Sequence, residues 1–521
     1  MSVTENYEYT PLKTEICFGK LTALSKQYRY VILGSLIAGF LAYTFMITNK
    51  LPNHDDLSAI FTKGATLASG RWGLSILSFF FPDLSMPWIY GVLSLLILTT
   101  ANCLLINLFS IRNAILQFLT AALIITFPSQ TGTFGYLFTA VPYAIAFLTA
   151  VTAAYIVCKC SLHMTPVGML LMIFSISIYQ AYLSIAATIL VVYAIYRVVA
   201  TNDSVQTIIA KSSFAAIYLI VSLGIYWGST KLVFWLSGQN LGTYASDAFT
   251  FSFRSIGDGI INAYWAFFNV IRYRKYGLIT SGMSHYAHVI CAALLCIQLF
   301  LWIVQKRKLV RTFFLAALVL ILPMAVGLLF LFVSPYSIHT LVLYSYSIIY
   351  ILISVIIEQG QRITLKQILG KLHSLSLDMT VIGLGIILTW NIFCANQAYL
   401  KMHLAYENLH SFTTSIVTHL QSTPGYTADS KVALVGNYPE QDFYFDNFSN
   451  LWELTGTASI DPNTYSIGRF FSLYTGVRVN LVSNELCQSV MSNEAFSAMP
   501  AYPDYGYIAV IDDIFVIKLS N

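Results

Sequence analysis

Eleven apolar segments in this 521-residue chain approach the length needed to cross a lipid bilayer. A helix rises about 1.5 Å per residue and the hydrocarbon core is about 30 Å thick, so a span needs about 20 apolar residues. The segments are 30–48, 86–108, 114–127, 136–157, 166–180, 183–199, 213–236, 286–304, 312–333, 341–357 and 379–398. We expect the three short ones (114–127, 166–180 and 341–357) to be tilted or to extend into adjacent loops. The pattern predicts a polytopic α-helical membrane protein.

The composition agrees with this class and excludes others. Hydrophobic residues make up 57% of the chain and charged residues only 10%, against about 25% charged in an average soluble domain. This argues against a soluble globular enzyme and against a disordered chain. The formal net charge of +5, spread over this length, leaves no basic stripe for nucleic acid.

The positive charges predict which ends of the spans face the cytoplasm. If the N-terminus is cytoplasmic, more than half of the 28 Lys and Arg residues fall in the inside segments, and the outside ones lie in long segments that count little. An odd number of spans then places the C-terminal region outside. We therefore divide the chain into a cytoplasmic leader (1–29), a membrane body (30–398) with outer loops 49–85 and 237–285, and a periplasmic domain (399–521).

The C-terminal region has an α/β pattern. Apolar residues recur at helical spacing in 399–421, at Leu409, Phe412, Ile416 and Leu420, and this helix is expected to continue the last span until Pro424-Gly425. Strands are predicted at Lys431–Val435 and Val477–Val482, and a terminal hairpin at Tyr507–Val510 and Ile514–Leu519.

The predicted spans lack Lys, Arg, Asp and Glu near their middles, where such groups usually mark an ion or proton path. This argues against an ion-coupled transporter and directs attention to the outer membrane edge. Asp55 and Asp56 lie there, shortly after the first span. Two adjacent carboxylates do not ionise independently, so one is suited to act as a general base. The alternative is that the pair caps the helix that follows.

Cationic and aromatic residues near the same edge are candidates for binding. Arg71, in Gly70-Arg-Trp-Gly73, offers a planar fork suited to phosphate, although a Trp-Arg pair is also common at membrane interfaces. Arg254 and Arg272, in loop 237–285, are further phosphate candidates unless that loop is an interfacial helix. Tyr179, Gln180 and Tyr182 occupy a tight outer turn and are suited to binding a sugar, or belong to an aromatic belt.

These motifs together resemble the Gtr family, type II, the serotype-converting O-antigen glucosyltransferases within the GT-C superfamily. The resemblance rests on His54-Asp-Asp-Leu57, Gly70-Arg-Trp-Gly73, Ile178-Tyr-Gln-Ala-Tyr182, Leu404-Ala-Tyr-Glu407, Lys431-Val-Ala-Leu-Val-Gly436, Met499–Ile508 and Val516-Ile-Lys-Leu519. They occur in one order over nearly the whole chain. The resemblance implies a GT-C-like body of about 11 transmembrane helices with a C-terminal periplasmic α/β domain.

The resemblance also implies an activity. Glucose would move from undecaprenyl-phosphate-glucose to a lipid-linked O-antigen polysaccharide at the periplasmic face of the bacterial inner membrane. The donor is a substrate, so no cofactor is expected, and a metal requirement stays open. The partners implied are the two lipid-linked sugars, membrane lipid, and an accessory flippase and donor synthase. Two alternatives remain: a flippase or transporter of lipid-linked sugars, and an O-antigen polymerase that uses arginines in loop 237–285.

Overall fold

A computed structural model describes most of the chain. The described residues are 19, 22–51, 53, 55, 57, 67–81, 85–240, 253–279, 281–306, 308–333, 338–363, 367–436 and 467–520, without the side chains of 253–255, 306 and 367–369. Asp56 and the side chain of Arg254 therefore lie outside the described part.

The membrane body is built from α-helices. They are α1 Arg29–Thr48, α2 Trp72–Leu77, α3 Pro87–Phe109, α4 Ala114–Ile125, α5 Pro128–Gly135, α6 Leu137–Lys159, α7 Thr165–Ile178, α8 Tyr182–Ala200, α9 Val205–Ser237, α10 Phe253–Tyr273, α11 Gly282–Lys306, α12 Leu309–Val326, α13 Ile349–Gly360 and α14 Gln367–Ser422. A 3₁₀ segment, Thr340–Ile348, leads directly into α13.

Most of the predicted spans appear as helices of membrane-crossing length. Within the described ranges, 9 helices are long and apolar enough to span, and α4 with α5 forms a tenth candidate bent by 43°. The remaining predicted segment, 166–180, overlaps α7, which has only 14 residues. The short segment 114–127 thus continues through a bend, and 341–357 begins in the 3₁₀ segment, whereas 166–180 stays short.

The bend between α4 and α5 has a local cause. Pro128 begins α5 and has no N–H to continue the hydrogen bonding of α4. Helix α5 is polar but fully buried, and its groups find partners inside the protein: Ser129 donates to the carbonyl of Thr340 at 2.6 Å, and Tyr399 donates to the carbonyl of Thr131 at 2.8 Å. Buried polar groups at membrane depth require such partners.

Helix α14 joins the membrane body to the C-terminal region without interruption. It has 56 residues, crosses the predicted boundary at 398/399, and ends just before Pro424-Gly425, as predicted. Its later turns bury Leu409, Phe412, Ile416 and Leu420 in a hydrophobic cluster of the C-terminal region. The apolar spacing seen in the sequence therefore marks the face of the helix that packs on this cluster.

A four-stranded sheet completes the C-terminal region. The strands are β1 Lys431–Val435, β2 Asn480–Leu481, β3 Ile508–Ile511 and β4 Ile514–Lys518, in the order β2-β1-β4-β3. β1 runs parallel to β2 and β4, and β3 and β4 form the predicted hairpin.

The prediction of a strand over Val477–Val482 was too long. Only Asn480 and Leu481 pair with β1, opposite Lys431 and Val432, because the chain enters a helix at Asn484.

Candidate active site

Asp55 lies at the start of a helical turn that begins just after α1. The Oδ1 atom of Asn53 accepts the backbone N–H of Asp55 at 2.9 Å, and the carbonyl of Asn53 accepts the N–H of Leu57 at 3.3 Å. The Asn53 side chain is buried and donates to the carbonyl of Gly135 at the end of α5. Asn53, rather than Asp55, therefore supplies the capping oxygen here. The half-buried carboxylate of Asp55 is not needed for that cap.

The C-terminal region packs directly onto the segment that carries the acidic pair. Leu57 is fully buried, and it belongs to the same hydrophobic cluster as Leu409, Phe412 and Phe470. Asn53 joins this segment to the membrane body, and Leu57 joins it to the C-terminal region. Asp55 therefore lies at the junction of the two parts of the protein.

Arg71 lies on a stack of tyrosine rings. Its guanidinium carbon is 4.7 Å from the ring centre of Tyr179, and the Tyr179 ring stacks on that of Tyr143 at 4.5 Å with an interplanar angle of 15°. Tyr182 meets the Tyr179 ring edge-on at 5.9 Å. A guanidinium over an aromatic face gains a cation–π attraction and keeps its fork in one orientation. Two of the three residues predicted for the sugar site, Tyr179 and Tyr182, therefore lie in the aromatic cluster that supports the predicted phosphate-binding arginine.

The two glycines that flank Arg71 and Trp72 are required by geometry. Gly70 has φ +73°, a left-handed conformation that favours glycine. At Gly73 an added Cβ would lie 2.1 Å from the Oγ of Ser177, so α2 approaches α7 as closely as its backbone allows. The Gly-Arg-Trp-Gly motif therefore seats the Arg71 loop tightly against the helix that leads to Tyr179.

Gln180 anchors the loop that precedes Arg71. Its Nε2 donates to the carbonyl of Ser69 at 2.9 Å and to the hydroxyl of Tyr226 at 3.0 Å. The Tyr226 hydroxyl donates in turn to the carbonyl of Gly70 at 3.0 Å. Three hydrogen bonds thus connect the α7–α8 turn, α9 and the Arg71 loop. The structure gives Gln180 a positioning role in addition to the sugar-binding role predicted for it.

An apolar cavity of about 670 Å³ opens beside this loop. Ser69, Gly70 and Gln180 form part of its wall, and mainly apolar side chains of α7, α8, α9 and residues 328–332 form most of the rest, together with Ser184, Thr230 and Lys231. Along α9 its walls extend from Ile220 to Phe234, about 21 Å at 1.5 Å per residue. Ile220 is 70% exposed, so the cavity is open at the side of the bundle.

The Asp55 segment and the Arg71 loop meet the same end of α6. Gly135, the partner of Asn53, lies two residues before this helix begins. Tyr143, in the stack beneath Arg71, lies about 9 Å along the helix from Leu137. The structure thus places Asp55, Arg71, Tyr179, Gln180 and Tyr182 at one end of the bundle.

Arg272, in loop 237–285, is not brought into this group, and the side chain of Arg254 lies outside the described part of the chain. Arg272 is exposed and packs over the neighbouring ring of Tyr273 at 4.9 Å. Helix α10, which carries Arg254 and Arg272, exposes a stripe at Ile261, Trp265 and Phe268. This arrangement fits the alternative of an interfacial helix, and a phosphate-binding role for either arginine stays a prediction.

Sequence reasoning missed three residues near this end of the bundle. Tyr143 and Tyr226 lie inside apolar segments, where an aromatic residue gives no signal of its own. Lys401 lies just inside the predicted periplasmic domain and is fully buried. Its burial gives no signal in the sequence, because it depends on how α14 packs after the predicted last span.

The groups gathered here are a carboxylate, a guanidinium, an amide and phenols. In the described ranges no three His, Cys, Asp or Glu side chains lie close enough to hold a metal ion. The arrangement can bind an anionic group at Arg71, accept a proton at Asp55 and hold an apolar chain in the cavity.

Comparison with known proteins identifies the family. No curated protein and no solved structure matches the chain. Residues 44–352, more than half of the chain, match the family described as Glucosyl transferase GtrII. The matched region contains Asp55, Asp56, Arg71, the Tyr179–Tyr182 turn and loop 237–285, as well as the walls of the apolar cavity. The chain therefore belongs to the GtrII family of glucosyl transferases.

Proposed function

We propose that this protein transfers glucose from undecaprenyl-phosphate-glucose to a sugar of lipid-linked O-antigen, and that it does so with inversion at the anomeric carbon. The reaction takes place at the periplasmic face of the bacterial inner membrane, with the N-terminus cytoplasmic and the C-terminal domain periplasmic. A donor synthase and an accessory flippase supply the donor. The product is the glucosylated O-antigen of a converted serotype.

The observation that carries this proposal is the apolar cavity that borders the Arg71 loop. A polyprenyl donor has a long apolar tail and one phosphate, so its site needs an apolar groove with a cation close to one end. The cavity has about 670 Å³ of mainly apolar space, is open at the side of the bundle, and is bounded by Gly70, the residue before Arg71. Lys231 is a cation in the lining itself.

The mechanism follows from the groups at this end of the bundle. Asp55 or Asp56 removes the proton of an acceptor hydroxyl, and the oxygen attacks the anomeric carbon. The new glycosidic bond forms as the bond between that carbon and the phosphate oxygen breaks, through an oxocarbenium-like state. Undecaprenyl phosphate leaves with the bonding electron pair, and Arg71 stabilises its charge.

The remaining residues position the substrates. Tyr179, Gln180 and Tyr182 line the sugar site, and the rings of Tyr179 and Tyr143 hold the Arg71 fork in place. The C-terminal domain covers the mouth of the site through its contact with Leu57, and it presents the acceptor polysaccharide.

The role of the cavity is tested by filling it. Gly224 lines the cavity and has open space around its Cα, so Gly224→Phe would place a ring where the donor chain is proposed to lie. Gly228, one turn along the same helix, also has open space but does not line the cavity, so Gly228→Phe is the matched control. Transfer is measured in proteoliposomes with undecaprenyl-phosphate-glucose and with a short-chain citronellyl-phosphate-glucose.

We expect Gly224→Phe to raise KM for the long-chain donor at least tenfold and to change KM for the short-chain donor much less. Gly228→Phe should leave both values unchanged. Equal effects of the two variants, or equal effects on both donors, would contradict the assignment of the cavity. A complete lack of transfer by the wild-type protein with either donor would contradict the proposed reaction and favour transport of lipid-linked sugars.

A further inference from the structure

A second cavity, with polar walls, lies at the opposite end of the bundle. It has a volume of about 250 Å³ and lies where the ends of α8, α11, α12 and α13 meet. Helix α8 begins at Tyr182, in the aromatic cluster near Arg71, and ends at Ala200, in the wall of this cavity, about 27 Å away. The cavity is therefore remote from the proposed transfer site. The side chains in its lining that the argument uses are Lys308, Arg311 and Arg362.

The lining carries three cations, Lys308, Arg311 and Arg362, and no carboxylate. The two nearest carboxylates among the described residues are already engaged. Asp203 accepts a hydrogen bond from Thr201 and pairs with Arg197, and these contacts lower the pKa of Asp203.

Glu358 is the second of these carboxylates. It accepts the backbone N–H of Arg112 at 2.9 Å and lies 3.9 Å from Arg362. It offsets part of the Arg362 charge, so the cavity as a whole remains positive.

The three cations differ in how firmly hydrogen bonds hold them. The guanidinium of Arg311 is fixed, because it donates to the carbonyls of Val198 at 3.2 Å, Thr201 at 2.8 Å and Asp203 at the end of α8. Lys308 is exposed, and the Arg362 side chain is 57% exposed. One fixed cation beside two movable ones is an arrangement that can close around a phosphate.

The surface next to the cavity is apolar. Leu309, Val310 and Phe313 follow Lys308 in the first turns of α12 and are 67–69% exposed. A free phosphate ion gains no favourable contact from such a surface, whereas the acyl chains of a phospholipid would pack on it. Water could fill the cavity, at about 30 Å³ per molecule, but water does not offset its positive charge.

We infer that this cavity binds the phosphate headgroup of an anionic phospholipid, with the acyl chains along the start of α12. Basic pockets between transmembrane helices bind anionic headgroups in this way. The inference does not depend on the glucosyl-transfer reaction, because it concerns the other end of the bundle.

The test uses the full-length protein in detergent and native mass spectrometry. Phosphatidylglycerol, phosphatidylcholine and inorganic phosphate are titrated separately, and thermal stability is measured in parallel. The double variant Lys308→Gln/Arg362→Gln removes the two movable cations and spares Arg311, which holds the end of α8. The control double variant Lys159→Gln/Lys211→Gln removes the same charge from exposed positions that do not line this cavity.

We expect wild type to retain phosphatidylglycerol over phosphatidylcholine and to gain thermal stability from it. The Lys308/Arg362 variant should bind phosphatidylglycerol about thirtyfold more weakly, because each of the two lost cations contributes about 1 kcal/mol to binding. The control variant should bind phosphatidylglycerol as tightly as wild type does. Equal binding by both double variants would overturn the inference. So would equal stabilisation by inorganic phosphate alone, which would indicate an ion site without a lipid.

Discussion

The hydrogen bonds around Gln180 allow its two roles to be separated. If Gln180 acts by anchoring the Arg71 loop, then Tyr226→Phe should reduce transfer about as much as Gln180→Ala does. The reason is that the Tyr226 hydroxyl holds the same loop through the Gly70 carbonyl. If Gln180 acts mainly by touching the sugar, Gln180→Ala should reduce transfer far more than Tyr226→Phe does.

The expected magnitude follows from the number of bonds that each variant loses. Gln180→Ala removes the bonds to Ser69 and Tyr226, and Tyr226→Phe removes the bonds to Gln180 and Gly70. At about 0.5–1.5 kcal/mol for each bond, either variant should cost about 1–3 kcal/mol of local stability. The two variants share one bond, so the double variant should cost less than their sum by about 0.5–1.5 kcal/mol.

Hydrogen-exchange mass spectrometry of peptides covering 67–77 measures the local stability of the Arg71 loop directly. The amide of Gly70 donates to the carbonyl of Leu67 at 2.8 Å and reports opening of the loop. Its protection should fall about 5- to 150-fold in either single variant. Unchanged protection in Tyr226→Phe would refute the anchoring role, and strictly additive effects in the double variant would refute the shared bond.

Three further variants test the packing around the site. Gly73→Ala should lower the free energy of unfolding by about 1–3 kcal/mol through overpacking against α7, measured by thermal unfolding in detergent, whereas Gly228→Ala, in open space on α9, should not destabilise the protein. Leu57→Ala should lower the free energy of unfolding by about 2–5 kcal/mol, because it leaves a cavity in the cluster that joins the acidic segment to the C-terminal region. A decrease of less than about 1 kcal/mol would contradict that contact. Arg71→Lys keeps the charge but loses the planar fork over Tyr179, so kcat should fall at least tenfold with folding intact; wild-type kcat would exclude phosphate binding by the fork.

The fold was largely predictable because hydropathy and length determine most of it. Long apolar runs gave the spans, and the Ile511-Asp-Asp-Ile514 turn gave the terminal hairpin, where Asp512 and Asp513 both have positive φ. The short span 114–127 could not be completed from hydropathy, because its second half, α5, is polar and is buried only through hydrogen bonds to distant residues such as Thr340.

The site was predictable in part. Charged residues at a membrane edge stand out in an apolar chain, so Asp55 and Arg71 could be selected as candidates from the sequence. Tyr143 and Tyr226 could not, because their roles come from contacts across long sequence separations. The burial of Lys401 was also hidden, since it depends on how α14 packs after it leaves the membrane body.

The central claim is that one carboxylate of the Asp55–Asp56 pair is the base that activates the acceptor. Its most direct test is glucosyl transfer by membranes containing wild type, Asp55→Asn, Asp56→Asn or Asp258→Asn, supplied with undecaprenyl-phosphate-glucose and lipid-linked O-antigen. Asp258 is an exposed carboxylate on α10 and serves as the matched control. We predict that at least one variant of the pair loses transfer while remaining folded in the membrane, and that Asp258→Asn retains it. Wild-type transfer by both Asp55→Asn and Asp56→Asn would contradict the account.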